Sequence, residues 1–154
     1  TNPSTAGVEV AMAKRILVPL DRSERAEDVL PIVADLARSS GATVRLLNVA
    51  GYPEQRFGDH GRVVAYESQE MERITHRRLD YLREAEARLE GVPVKSVVRF
   101  GNPVDEIVQE AEAFGADLVA VTAPRRGWFT RLYRNVADSL RRKSSVPLLV
   151  LSDR

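Results

Sequence analysis

A chain of 154 residues has room for one domain with a proper two-sided core, and its 44% hydrophobic and 29% charged residues are ordinary for a soluble globular protein. The 23 basic and 22 acidic residues nearly cancel, so the overall field gives no reason to expect nucleic acid or membrane as a partner. The absence of cysteine excludes disulfides, thiol catalysis and zinc–thiolate sites.

The stretch from Thr1 to Ala13 is small and polar, without a basic segment followed by an apolar one, and does not read as a signal peptide. Met12 offers a start, which makes residues 1–11 a tag remnant or a disordered extension and leaves 14–154 as the domain. No apolar run reaches the length needed to cross a bilayer, and a cysteine-free chain suits the cytoplasm, the expected compartment.

The first apolar run, Ile16–Leu20, reads as a strand buried on both faces. Asp21-Arg22-Ser23 breaks it. Ser23 is placed to cap a helix whose first turn carries Glu24, Glu27 and Asp28, followed by Val29, Leu30, Val33, Leu36 and Ala37 at helical spacing. Pro31 within that pattern implies a kink or a later start. Thr43–Val49 reads as the second strand, and the glycine, proline and polar residues of Gly51–Gly61 as a flexible loop. A long helix is expected over about 67–90, with Met71, Ile74, Leu79, Leu82, Ala85 and Leu89 as its buried stripe. Its charges, including the pairs Glu72/His76 and Glu84/Arg88, read as a solvated face.

Val94–Phe100 is the third strand. Asn102 then caps a helix with Pro103 at its first position, Asp105 and Glu106 near its positive end, and Gly115 as terminator. Asp117–Thr122 is the fourth strand, a helix is expected over about 135–143, and Pro147–Leu151 is the fifth strand. This alternation, without repeats, predicts a single doubly wound α/β domain: a five-stranded parallel sheet with helices on both faces.

Four phrases in register resemble the universal stress protein family: Arg15–Asp21; Gly101-Asn102-Pro103 leading into Ile107–Ala111; Ala116–Val121; and Asn135-Val136-Ala137 running to Pro147–Leu151. The resemblance spans about Lys14 to the end and implies the strand order 3-2-1-4-5. It also implies dimerisation through the last strand. Pro147, Leu148, Leu149, Val150 and Leu151 form a short, apolar, uncharged edge, and such an edge invites pairing with a second copy.

In open α/β sheets ligands sit beyond the carboxyl ends of the strands where the winding reverses, here between strands 1 and 4. The resemblance implies that Asp21 and a strand-2 residue near Val49 hold adenosine, the carboxylate accepting from ribose hydroxyls. Thr122 ends strand 4 beside them. Members of the family that bind ATP carry a glycine, two residues, a second glycine, nine residues, then glycine followed by serine or threonine. Those places hold Val121, Pro124, Arg134 and Asn135 here, so none of the three glycines is present. Glycine lets phosphate approach backbone N–H groups, and Pro124 removes one such donor altogether.

Gly127 falls out of register, while Arg125, Arg126, Arg131 and Arg134 crowd the region with groups that bind phosphate well. Alternatively, these arginines form a basic surface loop paired with acids elsewhere. Trp128, Phe129 and Tyr133 among them suit a packing or partner interface better than nucleic acid.

His60 and His76 do not form a metal site, and no Walker A loop, dinucleotide fingerprint or Gly-x-Ser-x-Gly elbow occurs. The leading expectation is a dimeric stress-response module acting mainly through protein contacts, with a degenerate adenine-nucleotide pocket. The second is a sensor holding ATP or AMP, with magnesium, through arginines instead of glycines. A nucleotide hydrolase ranks last, because no nucleophile or general base accompanies a phosphate cradle.

Overall fold

A computed structural model describes residues 10–22, 26–53, 62–123, 128–143 and 146–152, with the side chains of 62–66, 123, 128–133 and 152 left undescribed. The elements are β1 (Arg15–Pro19), a short 3-10 turn (Ala26–Val29), α1 (Leu30–Ser40), β2 (Thr43–Ala50), α2 (Arg62–Glu86), β3 (Val94–Phe100), α3 (Pro103–Phe114), β4 (Leu118–Ala123), α4 (Trp128–Lys143) and β5 (Leu148–Ser152). All ladders are parallel and the strand order is β3-β2-β1-β4-β5, as the resemblance implies.

Strand periodicity divides the core between the two sheet faces. Ile16, Val18, Val44, Leu46, Leu118 and Ala120 point to the face covered by α1 and α2, where Leu30, Val33, Leu82 and Ala85 meet them. Leu17, Leu47, Val119 and Val121 point to the other face, against Ile107, Val108 and Ala111 of α3 and Val136 and Leu140 of α4. Both layers are dry, which is why β1 reads as an unbroken apolar run rather than an alternating one.

Local signals explain most boundaries. Asn102 Oδ1 accepts from the N–H groups of Val104 at 3.0 Å and Asp105 at 3.3 Å, capping α3 with Pro103 in its first turn. Gly115 ends that helix in the left-handed region. Gly101, with φ +141°, holds a backbone conformation that residues with a side chain rarely adopt, and a Cβ there would press on the Glu106 side chain.

Three boundaries differ from the sequence reading. The first helix begins late: Pro31 stands in the first turn of α1, whose N-cap is Val29, and the preceding turn is 3-10. Ser23 and Glu24 lie outside the described residues. The long helix runs 62–86 rather than 67–90, and of its expected stripe Leu82, Ala85 and Leu89 are buried while Met71, Ile74 and Leu79 are only partly so. Arg88 reaches Glu27 at 3.9 Å, not Glu84, and Glu72 and His76 make no ion pair among the described residues.

The largest difference is α4, which begins at Trp128 rather than near Asn135. The apolar positions Phe129, Leu132, Val136 and Leu140 already keep helical spacing in the sequence, and that period overrides the polar residues between them.

Candidate functional site

The winding reverses at β1, whose crossover leads to β2 on one side while β4 joins it on the other. With β2 the β1 ladder runs from Arg15 to Pro19 and is extended by the Leu20 N–H bonding the Leu47 carbonyl at 2.8 Å. With β4 it covers only Ile16↔Leu118 and Leu17↔Val119. Beyond those pairs β4 continues against β5 as far as Ala123↔Ser152. The β1–β4 ladder thus ends early, at the switch point where ligands of this fold class bind.

Asp21 stands exposed just beyond the carboxyl end of β1. The next residue, Arg22, has φ 72°, the only non-glycine in the left-handed region among the described residues. Thr122, buried near the end of β4, directs Oγ1 toward the Ala26 carbonyl at 3.5 Å, a long contact from β4 to the 3-10 turn. Val49 is part-buried and packs toward the α3 and α4 face. Asp21, Thr122 and Val49 are therefore gathered at one edge of the sheet.

Arg125, Arg126 and Gly127 lie outside the described residues. Arg134 and Asn135 are exposed and sit two turns inside α4 rather than at its start. Within a helix, N–H groups are engaged by preceding carbonyls. These two positions therefore offer no free backbone donors to phosphate. The amino end of α4 lies seven residues earlier, about 10 Å away along the axis.

The sequence reading missed two residues. Asn48 is completely buried in β2, a polar side chain within an otherwise dry strand. Its amide donates to the Leu20 carbonyl at 2.8 Å, and its Oδ1 accepts from Arg78 Nη1 at 3.2 Å. The signal was present: an asparagine interrupts the apolar run Thr43–Ala50. Arg78 was hidden among the many charges of α2. Burial first, then the neighbouring charges of Arg22 and Arg77, pull its guanidinium below the ordinary arginine range.

Beside it the Tyr81 hydroxyl is buried and the Arg22 main chain approaches it without closing a full hydrogen bond. Burial, with the nearby charge of Glu27, pushes that phenol up to about 12.

Across the sheet lies a different polar cluster. Glu110, almost wholly buried, accepts from Arg45 at 2.9 Å and from Arg99 at 2.7 Å. Arg99 also binds Glu106 at 3.0 Å and Gln109 at 2.9 Å. Burial works against the Arg99 charge, but the Glu110 and Glu106 carboxylates outweigh it and raise the guanidinium above its ordinary value. Arg45 lies 4.2 Å above the Phe114 ring. This cluster ties β2 and β3 to α3. Among the described residues no group of three or more His, Asp or Glu side chains converges on a possible metal position.

Residues 12–152 match the model of the universal stress protein family. The chain belongs to that family. Its fold is similar to that of the hypothetical protein MJ0577, at 28% identity and a TM-score of 0.75, over 93% of this chain and 98% of that one. It is similar too to a universal stress protein in complex with cAMP, at 20% identity and a TM-score of 0.63, over 92% and 98% of the two chains. A third likeness is to the universal stress protein from Archaeoglobus fulgidus in complex with dAMP, at 20% identity and a TM-score of 0.56, over 90% and 98%. No curated protein matches the chain in sequence. Among the described residues no helix is long and apolar enough to cross a membrane.

Proposed function

We propose that this universal stress protein binds an adenine nucleotide in the β1/β4 crevice and works as a non-enzymatic cytoplasmic module whose output is protein contact. The observation that carries the reading is the early end of the β1–β4 ladder, at the switch point beside Asp21. Asp21 accepts from the ribose hydroxyls, and Val49 and Thr122 border the base and sugar. The solved relatives described as complexes with cAMP and dAMP support adenine as the base.

Magnesium accompanies the ligand only if a triphosphate binds.

Dimerisation belongs to the same proposal. β5 pairs only with β4 and leaves its other edge open among the described residues, with Val150 exposed and Leu148, Leu149 and Leu151 part-buried. A second reading, a contact module with a vacant pocket, draws on the loss of all three phosphate-loop glycines.

Calorimetric titration with adenosine and AMP separates the two. The nucleotide reading expects micromolar binding of both that falls about tenfold in Asp21→Ala, as one lost hydrogen-bonding carboxylate implies. Absence of heat from folded, dimeric protein establishes the contact module instead.

A further inference from the structure

We propose that Arg78, assisted by Arg22 and positioned by Asn48, is the anion-binding group of this pocket and takes the phosphate of the bound nucleotide. The inference rests on the nucleotide reading above and moves the phosphate from the glycine-depleted β4 side to the β1/β2 side.

The placement is built from the core outward. Asn48 has no solvent exposure, and its amide is fixed on the carbonyl of Leu20, the residue immediately before Asp21. Its remaining oxygen holds Arg78 Nη1 at 3.2 Å. A half-buried guanidinium on α2 is thereby tethered to the main chain that presents Asp21. A guanidinium has five N–H donors in a planar fork, and a single amide oxygen leaves most of them available to a bidentate acceptor.

No carboxylate among the described residues lies within ion-pair distance of Arg78 or Arg22. The other two partly buried arginines of the sheet, Arg45 and Arg99, each have a carboxylate at 2.9 Å or closer. Arg78 has instead the neutral Asn48 Oδ1, and burial followed by the neighbouring charges of Arg22 and Arg77 disfavours its charge.

Arg22 adds a second cost. Its left-handed backbone, φ 72°, is disfavoured for any residue with a β-carbon. Strain of this kind persists at ligand clamps, where binding depends on the arrangement. The Arg78 guanidinium, tethered through Asn48 to the Leu20 carbonyl at the end of β1, and Arg22 two residues beyond Leu20 match the dianionic phosphate of AMP in charge. They supply the donors that glycine N–H groups would otherwise provide.

The test compares AMP with adenosine by calorimetry in the wild type, Arg78→Met and Arg78→Lys, with thermal unfolding alongside. Methionine keeps the packing of the aliphatic stem. The wild type is expected to bind AMP more tightly than adenosine. Arg78→Met is expected to lower AMP affinity about 10- to 100-fold, the range of a lost charge-assisted pair. Adenosine affinity stays unchanged, the unfolding temperature falls by no more than the one lost Asn48 Oδ1 hydrogen bond accounts for, and Arg78→Lys recovers part of the loss. Inorganic phosphate is expected to compete with AMP in the wild type and not in Arg78→Met.

If AMP keeps its advantage in Arg78→Met while adenosine binds, the phosphate lies elsewhere and the inference is overturned, with the nucleotide pocket standing. A lowered unfolding temperature with AMP affinity intact would make Arg78 a structural residue and also overturn it. Failure of the wild type to bind either compound removes the nucleotide reading and this inference together.

Discussion

The two faces of the sheet handle their buried arginines in opposite ways. On the α3 face Arg45 and Arg99 converge on Glu110, and Glu106 and Gln109 complete the set. On the α2 face Arg78 meets, among the described residues, a neutral amide, with the charges of Arg22 and Arg77 in its neighbourhood. In the first arrangement the guanidinium charges are matched by carboxylates within the protein, although Arg45 Nε is buried without a hydrogen-bond partner. The second lacks a carboxylate among the described residues, and it is tied through Asn48 to the Leu20 carbonyl at the carboxyl end of β1. A fold can keep charge there for a ligand because the cluster opposite already locks β2 and β3 to α3.

The comparison breaks most visibly at Glu110. Glu110→Gln leaves two guanidinium groups short of a carboxylate in a partly buried setting and is expected to cost about 2–3 kcal/mol. Urea unfolding reads that loss, and AMP affinity should stay as it was, since Glu110 lies on the far face. The corresponding change on the Arg78 side runs the other way. Arg22→Gly relieves the left-handed strain and removes a like charge facing Arg78, and is expected to stabilise by about 0.5–1 kcal/mol. It is expected to weaken AMP binding severalfold, a trade of affinity for stability.

The smallest effect concerns Tyr81. Its phenol is raised to about 12 in the folded protein, by burial and then by the charge of Glu27. Between pH 10 and 12 the folded state therefore holds a proton that the unfolded state releases. The stability this supplies is complete below pH 10 and is lost as pH rises through 12. Tyr81→Phe should flatten that part of the stability profile. At neutral pH it should shift stability by less than about 1 kcal/mol, because the hydroxyl has no full hydrogen-bond partner to lose. A profile with the same slope in both proteins would place the titrating group elsewhere.

Much of the fold was legible because local and global signals agree. Asn102-Pro103 and Gly115 mark both ends of α3, and the dry runs of β1 and β4 announce strands covered on two sides. The start of α4 was misread because its polar and basic residues obscured an apolar period that continues upstream to Phe129. That error also placed Arg134 and Asn135 at a helix start they do not occupy.

Asp21, Val49 and Thr122 can be put forward from the sequence because strand ends at a switch point can be located along the chain and the family resemblance implies a role for the first two. Asn48 and Arg78 were not. Thirty residues separate them, and their contact depends on how α2 crosses the sheet, which spacing within either element does not encode. That Arg78 has no carboxylate partner among the described residues is likewise a tertiary fact, since acids of α2 reach other arginines.

The most direct measurement is a crystal structure of the protein grown with AMP. The account predicts the adenosine in the crevice between β1 and β4, its ribose hydroxyls on Asp21 and its phosphate within hydrogen-bonding distance of Arg78. A phosphate seated at the amino end of α4, with Arg78 still turned only to Asn48, would contradict it.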